Sequence, residues 1–135
     1  MAEQDSIFVK MLIPQKPLAV KEVLSVEIPA AEGPYLVLPR RAPAMKLLKD
    51  GVVTLIDADQ TKKERFFISA GIAKIRDNAC TILTHTVINC DDVNADEINK
   101  RLAAFKEKEN KETHLDEIDR KKVAFLQMIA GYLAK

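Results

Sequence analysis

Ile72-Ala73-Lys74-Ile75-Arg76-Asp77-Asn78-Ala79-Cys80-Thr81-Ile82-Leu83-Thr84-His85-Thr86-Val87-Ile88 is the stretch on which the fold turns. Apolar and polar residues alternate before Asp77-Asn78 and again after it. Period-two alternation buries one face of an extended chain and wets the other. Asp and Asn tolerate the left-handed backbone that a two-residue hairpin turn demands. The stretch therefore predicts two antiparallel strands, 72–76 and 80–88, joined by a tight turn.

Working outward, Gly71 separates this hairpin from Arg65-Phe66-Phe67-Ile68-Ser69. Asp57 to Glu64 reads as a polar hairpin loop, and Val52-Val53-Thr54-Leu55-Ile56 follows the turn signal Asp50-Gly51. Tyr35-Leu36-Val37-Leu38 is a short strand closed by Pro39. In the strand predicted over 20–28, Leu24, Val26 and Ile28 share one face and Ser25 and Glu27 the other, and Pro29 ends it. Ser6 to Ile13 is apolar and stops at Pro14, since proline donates nothing to a ladder. Many short strands at regular spacing predict an antiparallel β-sandwich over residues 1–90.

Residues 91–135 change period. Asn94-Ala95-Asp96-Glu97 is a capping box, in which Asn94 accepts first-turn amides and Glu97 reaches back. Ile98, Leu102 and Phe105 then recur at helical spacing. Asn110 to Thr113 reads as a polar turn, and a second helix opening near Thr113 carries Leu115, Ile118, Phe125, Leu126, Ile129, Tyr132 and Leu133 on one stripe. Two amphipathic helices with a short link form an antiparallel hairpin. The fold class is thus mainly β plus α. Three large side chains on the first helix bury little area against the entropy of ordering, so the hairpin is expected to fray or move as a unit.

Composition narrows the function. The chain has 135 residues, enough for one domain or a small domain with an appendage. Lys+Arg 21 against Asp+Glu 20 gives +1, without the basic excess of a nucleic-acid binder. From Asp91 onward ten acids face nine bases, a solvated helix surface. No apolar run approaches a membrane span, so no direct membrane insertion is expected. Met1-Ala2-Glu3-Gln4-Asp5 has no apolar h-region, so no signal peptide is expected.

Chemistry is sparse. The four glycines are isolated, which gives no phosphate loop. Cys80, His85 and Cys90 do not have ligand spacing, and both cysteines read as buried or inert thiols. His85 reads as a surface or edge residue. No catalytic residue, metal site or cofactor is expected. The informative segment is Ile28 to Met45, where a glycine turn, a short strand and a proline-bracketed loop present Tyr35 and paired Arg40-Arg41.

At this segment the chain resembles the epsilon subunit of F-type ATP synthases. Glu32-Gly33-Pro34-Tyr35-Leu36-Val37-Leu38-Pro39-Arg40-Arg41-Ala42-Pro43 stands where the family has EGxxGxxPGHAP. Asp50-Gly51-Val52-Val53 and Ile68-Ser69-Ala70-Gly71-Ile72 match further family elements, and Cys80 to Val87 matches one loosely. Leu36 and Arg40 replace glycines and Arg41 replaces a histidine. The glycine-dependent backbone angles are therefore expected to be lost or relaxed at Leu36 and Arg40. Where the ATP-binding element of some members carries Arg, this chain has Asn99.

The resemblance implies a non-catalytic stalk subunit that couples rotation of the c-ring to the catalytic head. It implies a c-ring contact at Glu32, Gly33, Pro34 and Tyr35, and a gamma-subunit contact at Arg40, Arg41, Ala42 and Pro43. The hairpin is the part that would reach the alpha/beta head and regulate ATP hydrolysis. The implied location is the cytoplasmic face of the bacterial inner membrane. Two other readings stay open on residues alone: a free-standing β-sandwich adaptor with a helical docking tail, and a small enzyme with its site in the sandwich.

Overall fold

The computed structural model describes residues 6–14, 16–40, 42–57, 63–111 and 117–133. The chain divides into two compact units, Met1–Asp91 and Asp92–Lys135. Among its described residues the first holds ten strands: β1 (Ile7–Ile13), β2 (Lys16–Val23), β3 (Ser25–Ala30), β4 (Gly33–Val37), β5 (Ala44–Leu48), β6 (Gly51–Ile56), β7 (Lys63–Ile68), β8 (Gly71–Arg76), β9 (Ala79–Thr84) and β10 (Val87–Asn89). The second holds α1 (Ala95–Lys111) and α2 (Glu117–Leu133).

The strands follow the order β10-β7-β6-β3-β5-β8-β9-β1-β2, with β4 on the other edge of β3. The β3–β5 link is a single residue pair, Ala30 with Leu48. The sheet therefore bends there into two layers, β10-β7-β6-β3-β4 and β5-β8-β9-β1-β2. One apolar core lies between them: Val9 and Met11 from β1, Val26 and Ile28 from β3, Leu55 from β6 and Ile82 from β9 are all fully buried members. Their alternation with exposed neighbours (Phe8, Lys10, Glu27) is the period-two signal read in the sequence. Among the described residues the sandwich is antiparallel except at one pairing. β1 runs parallel to β9, Val9 opposite Cys80 and Met11 opposite Ile82.

The Asp77-Asn78 turn forms as predicted, with φ of 52° and 59°. Positive φ at both central residues gives the primed turn whose twist matches the flanking strands. Two predicted strands are each two. The 20–28 strand breaks at Leu24, whose N–H donates to the Ile56 carbonyl at 2.8 Å. β2 before it pairs with β1 in one layer, and β3 after it pairs with β4 and β6 in the other. Pro29 does not end β3; it pairs with Pro34 and the strand runs to Ala30. The 80–88 strand breaks at His85-Thr86, because β10 leaves β9 to pair with β7. β5 was not anticipated; Met45 and Leu47 face solvent, so no buried apolar stripe marks it.

In the helical unit, Asn94 caps α1: its Oδ1 accepts the Asp96 N–H at 2.7 Å. Glu97 accepts instead from Arg101 at 3.0 Å, one turn on. α1 continues through Asn110 and Lys111, past the predicted start of the turn, while Thr113 and Leu115 lie outside the described residues. Ile98, Phe125, Leu126 and Ile129 are buried as expected. Ile118 is not: it is 65% exposed, and its neighbour Asp119 takes the inner position at 8%. Lys108 of α1 donates to Asp119 Oδ2 at 2.7 Å, so the charge is buried with a partner.

Candidate partner-binding surfaces

The two sets of candidate residues sit at opposite ends of the sandwich. At one end lie the β3–β4 tip (Ala31-Glu32) and the turns 49–50, 69–70 and 85–86. At the other lie the β4–β5 connection (38–43), Leu24 and the turn 77–78. Strand directions enforce this separation, because β4 carries the chain from the tip to the far end.

At the tip, Glu32 and Pro34 are exposed. Gly33 has φ 135°, a conformation in which any side chain is strained, so the glycine is required by the turn. Tyr35 is different. It is half-buried, packs against the core, and lies under the Lys46 ammonium, 4.6 Å from its ring centroid. It braces the mouth of the sandwich between β4 and β5.

At the other end, Arg40, Ala42 and Pro43 are exposed, and Arg41 lies outside the described residues. The expected loss of glycine-type angles is overturned at Arg40, which keeps φ 67°. The turn 77–78 holds it: the Arg40 N–H donates to Asn78 Oδ1 at 2.6 Å. Asn78 also accepts the Phe8 N–H on its carbonyl at 2.9 Å. At Leu36 the expectation holds, since it lies within β4 and is absent from the described residues with positive φ. Asn78 is a residue sequence reasoning read only as a turn; its second task, gripping Arg40, had no local signal. Leu36, Leu38 and Met45 lie on the side of the connection as exposed apolar side chains, Met45 at 63%, whereas Leu47, 66% exposed, lies toward the tip. Exposed apolar side chains, where they cluster, mark interaction surfaces.

Neither thiol is poised to react. Burial pushes Cys80 from 9.0 up to about 12. Burial also raises Cys90, to about 11, with Arg65 pulling it down and Asp91 pushing it up. The thiolate is the reactive form, so both are quiet at neutral pH. Among the described residues no group of His, Cys, Asp and Glu is placed to hold a metal ion. No helix there is long and apolar enough to cross a membrane.

The family described as ATP synthase, Delta/Epsilon chain, beta-sandwich domain matches residues 6–90, more than half of the chain. The chain belongs to the ATP synthase delta/epsilon family. The ATP synthase epsilon chain of Rhizobium rhizogenes strain K84 is 35% identical over 111 residues, 82% of each chain. That of Gluconacetobacter diazotrophicus is 32% identical over 123 residues, 91% of this chain and 82% of the relative. A chain in a structure of Euglena gracilis mitochondrial ATP synthase, comprising OSCP, F1 and c-ring, aligns with a TM-score of 0.75 at 20% identity. That alignment covers 99% of this chain and 82% of the other. A chain from the Tetrahymena thermophila mitochondrial ATP synthase central stalk and c-ring aligns at 0.54 and 15% identity, covering 70% and 75%. At those identities the two structures speak for the fold. By its family and by the names of its relatives, this member groups with the ATP synthase epsilon chains.

Proposed function

We propose that the chain transmits rotation between the membrane c-ring and the catalytic head, gripping the gamma subunit and making no covalent chemistry of its own. The observation that carries this reading is the match of the sandwich to the family over residues 6–90, on a body with separate surfaces at its two ends. In the proposal the tip formed by Glu32, Gly33 and Pro34 rests on the polar loops of the c-ring, with Tyr35 bracing it from behind. The connection holding Arg40, Arg41, Ala42 and Pro43 faces gamma, and the arginines pair with carboxylates there. Arginine suits such a site because its planar fork bonds carboxylate oxygens in pairs. The complex is placed at the cytoplasmic face of the bacterial inner membrane, with this chain peripheral to it.

The test is affinity capture of tagged protein from its own membranes, followed by identification of what comes with it. Gamma and c subunits in stoichiometric amount are the expected outcome; capture of neither overturns the proposal. Reversing the charge at both arginines (Arg40→Glu, Arg41→Glu) should reduce gamma in the captured material, and unchanged recovery removes the assigned contact.

The helical unit, residues 91–135, is proposed as a brake that restrains ATP hydrolysis. Deleting it should raise hydrolysis by the assembled enzyme while gamma recovery stays level. An unaltered rate refutes the brake.

A further inference from the structure

The sandwich end that carries Glu32 and Pro34 is laced by hydrogen bonds that run without a gap through four turns. Ala31 N–H donates to the Leu47 carbonyl at 2.8 Å, and Lys49 N–H to the Pro29 carbonyl at 3.0 Å, fixing the tip to the β5–β6 turn. In that turn the Asp50 carboxylate accepts the Ala70 N–H at 2.8 Å, which reaches the β7–β8 turn. Next to Ala70, Ser69 Oγ accepts the Thr86 N–H at 3.0 Å. Thr84 donates its hydroxyl proton to the Ser69 carbonyl at 2.6 Å. The Ser69 hydroxyl is then the donor to Thr84 Oγ1 at 2.9 Å. Ser69 N–H closes the series on the Thr86 carbonyl at 3.2 Å.

Two details mark this lacing as built. Thr84 is buried at 7%, an inward position on β9 that continues the row of Cys80 and Ile82. A hydroxyl there costs free energy unless it is bonded, and a valine would pack as well. Opposite it stands Gly71, where a Cβ would come within 2.0 Å of the Leu83 carbonyl oxygen. The close approach of β8 to β9 that brings Ser69 onto Thr84 therefore depends on glycine.

We infer that Ser69 and Thr84 are positioning residues for torque transfer, tying the c-ring-facing tip of one layer to the other layer so that the end moves as a plate. This rests on the function proposed above. Among the described strands β4 pairs only with β3, and β3 meets β5 at a single residue pair, so a sideways load on the tip crosses to β8 and β9 through that narrow seam and the Ala31 and Lys49 bonds beside it, through Asp50, Ser69 and Thr84, or through the apolar core. Apolar contact is non-directional and yields to sliding, whereas hydrogen bonds weaken steeply with misalignment and so resist it.

The experiment uses the whole ATP synthase, reconstituted in liposomes with wild-type chain, Thr84→Val, Thr84→Ser or Asp50→Ala. ATP synthesis driven by an imposed ion gradient is read against ATP hydrolysis in the same vesicles. Thr84→Val and Asp50→Ala are expected to assemble and hydrolyse ATP like wild type while synthesis relative to hydrolysis falls severalfold, and Thr84→Ser restores it. In the isolated subunit, amide exchange at Ala70 in Asp50→Ala should quicken by about five- to tenfold, the worth of one hydrogen bond. Wild-type coupling in variants whose exchange has quickened overturns the inference, as does a coupling loss that Thr84→Ser does not restore. Asp50→Ala, at an exposed bond, keeps the test decisive where Thr84→Val fails to fold. A wild-type chain that does not assemble with gamma and c subunits sinks the functional reading instead, and is told apart by that.

Discussion

Arg40 holds a left-handed backbone that its own side chain disfavours, and it does so because Asn78, in the neighbouring turn, accepts its N–H. A non-glycine residue there costs about 1–2 kcal/mol. Arg40→Gly should therefore stabilise the sandwich by about 1 kcal/mol in urea denaturation, less a part lost to the extra freedom of glycine in the unfolded chain. On the proposed gamma contact it also weakens gamma binding, so stability and affinity move in opposite directions. Asn78→Ala should destabilise by about 1–2 kcal/mol, because it removes the side-chain acceptor of the Arg40 N–H and puts alanine at positive φ. A change below a few tenths would show that the connection is not held there. In the sequence, Asn78 was legible as a turn residue and Arg40 as a surface cation. Their bond spans 38 positions and left no local trace.

At the scale of elements, the places where reading failed share one cause. Periodicity reports which face is buried and is blind to which neighbour supplies the cover. Val23 and Val26 both point inward, so the alternation slips by one between β2 and β3, and that slip was the sole sign that the chain changes layers. Thr84 and Val87, also three positions apart, both face the core, so the alternation slips again where β9 gives way to β10, and that slip was not read. The helices erred differently. Counting apolar residues put Ile118 inside, whereas an ion pair turns Asp119 inward and Ile118 out. Lys108→Ala should cost the hairpin about 1–2 kcal/mol, since it takes a donor from a buried carboxylate. Replacing both members by leucine should recover most of that loss. Helicity of the hairpin followed by circular dichroism on heating would check both, and a neutral Lys108→Ala would show that the pair carries no weight.

For the whole molecule, both thiols sit above their ordinary range, Cys80 at about 12 and Cys90 at about 11. The unfolded chain ionises its thiols near 9.0, so it sheds protons first as pH rises. The contribution of burial is complete below pH 9 and drains away as pH climbs through 11 and 12. Stability is therefore expected to decline above pH 9, and Cys80→Ala, although it leaves a small void, should flatten that decline. Alkylation at pH 8 should label Cys90 slowly and Cys80 only on unfolding. Rapid labelling of Cys80 in the native protein would contradict its place in the core. The composition and strand count were enough to expect a two-layer body, and the family resemblance supplied its task. Neither revealed that one strand pairing runs parallel.

That pairing has a consequence for biogenesis. β1 leaves the ribosome first, yet its partner β9 is made only after seven intervening strands. Until then Val9 and Met11 have β2 on one side and nothing on the other. Contacts between residues so remote in the chain are slow to form, because a long loop must be closed before any of them repays the cost. The nascent chain thus carries a sticky, half-paired hairpin until β9 is made, and the body can close only once translation has passed Thr84.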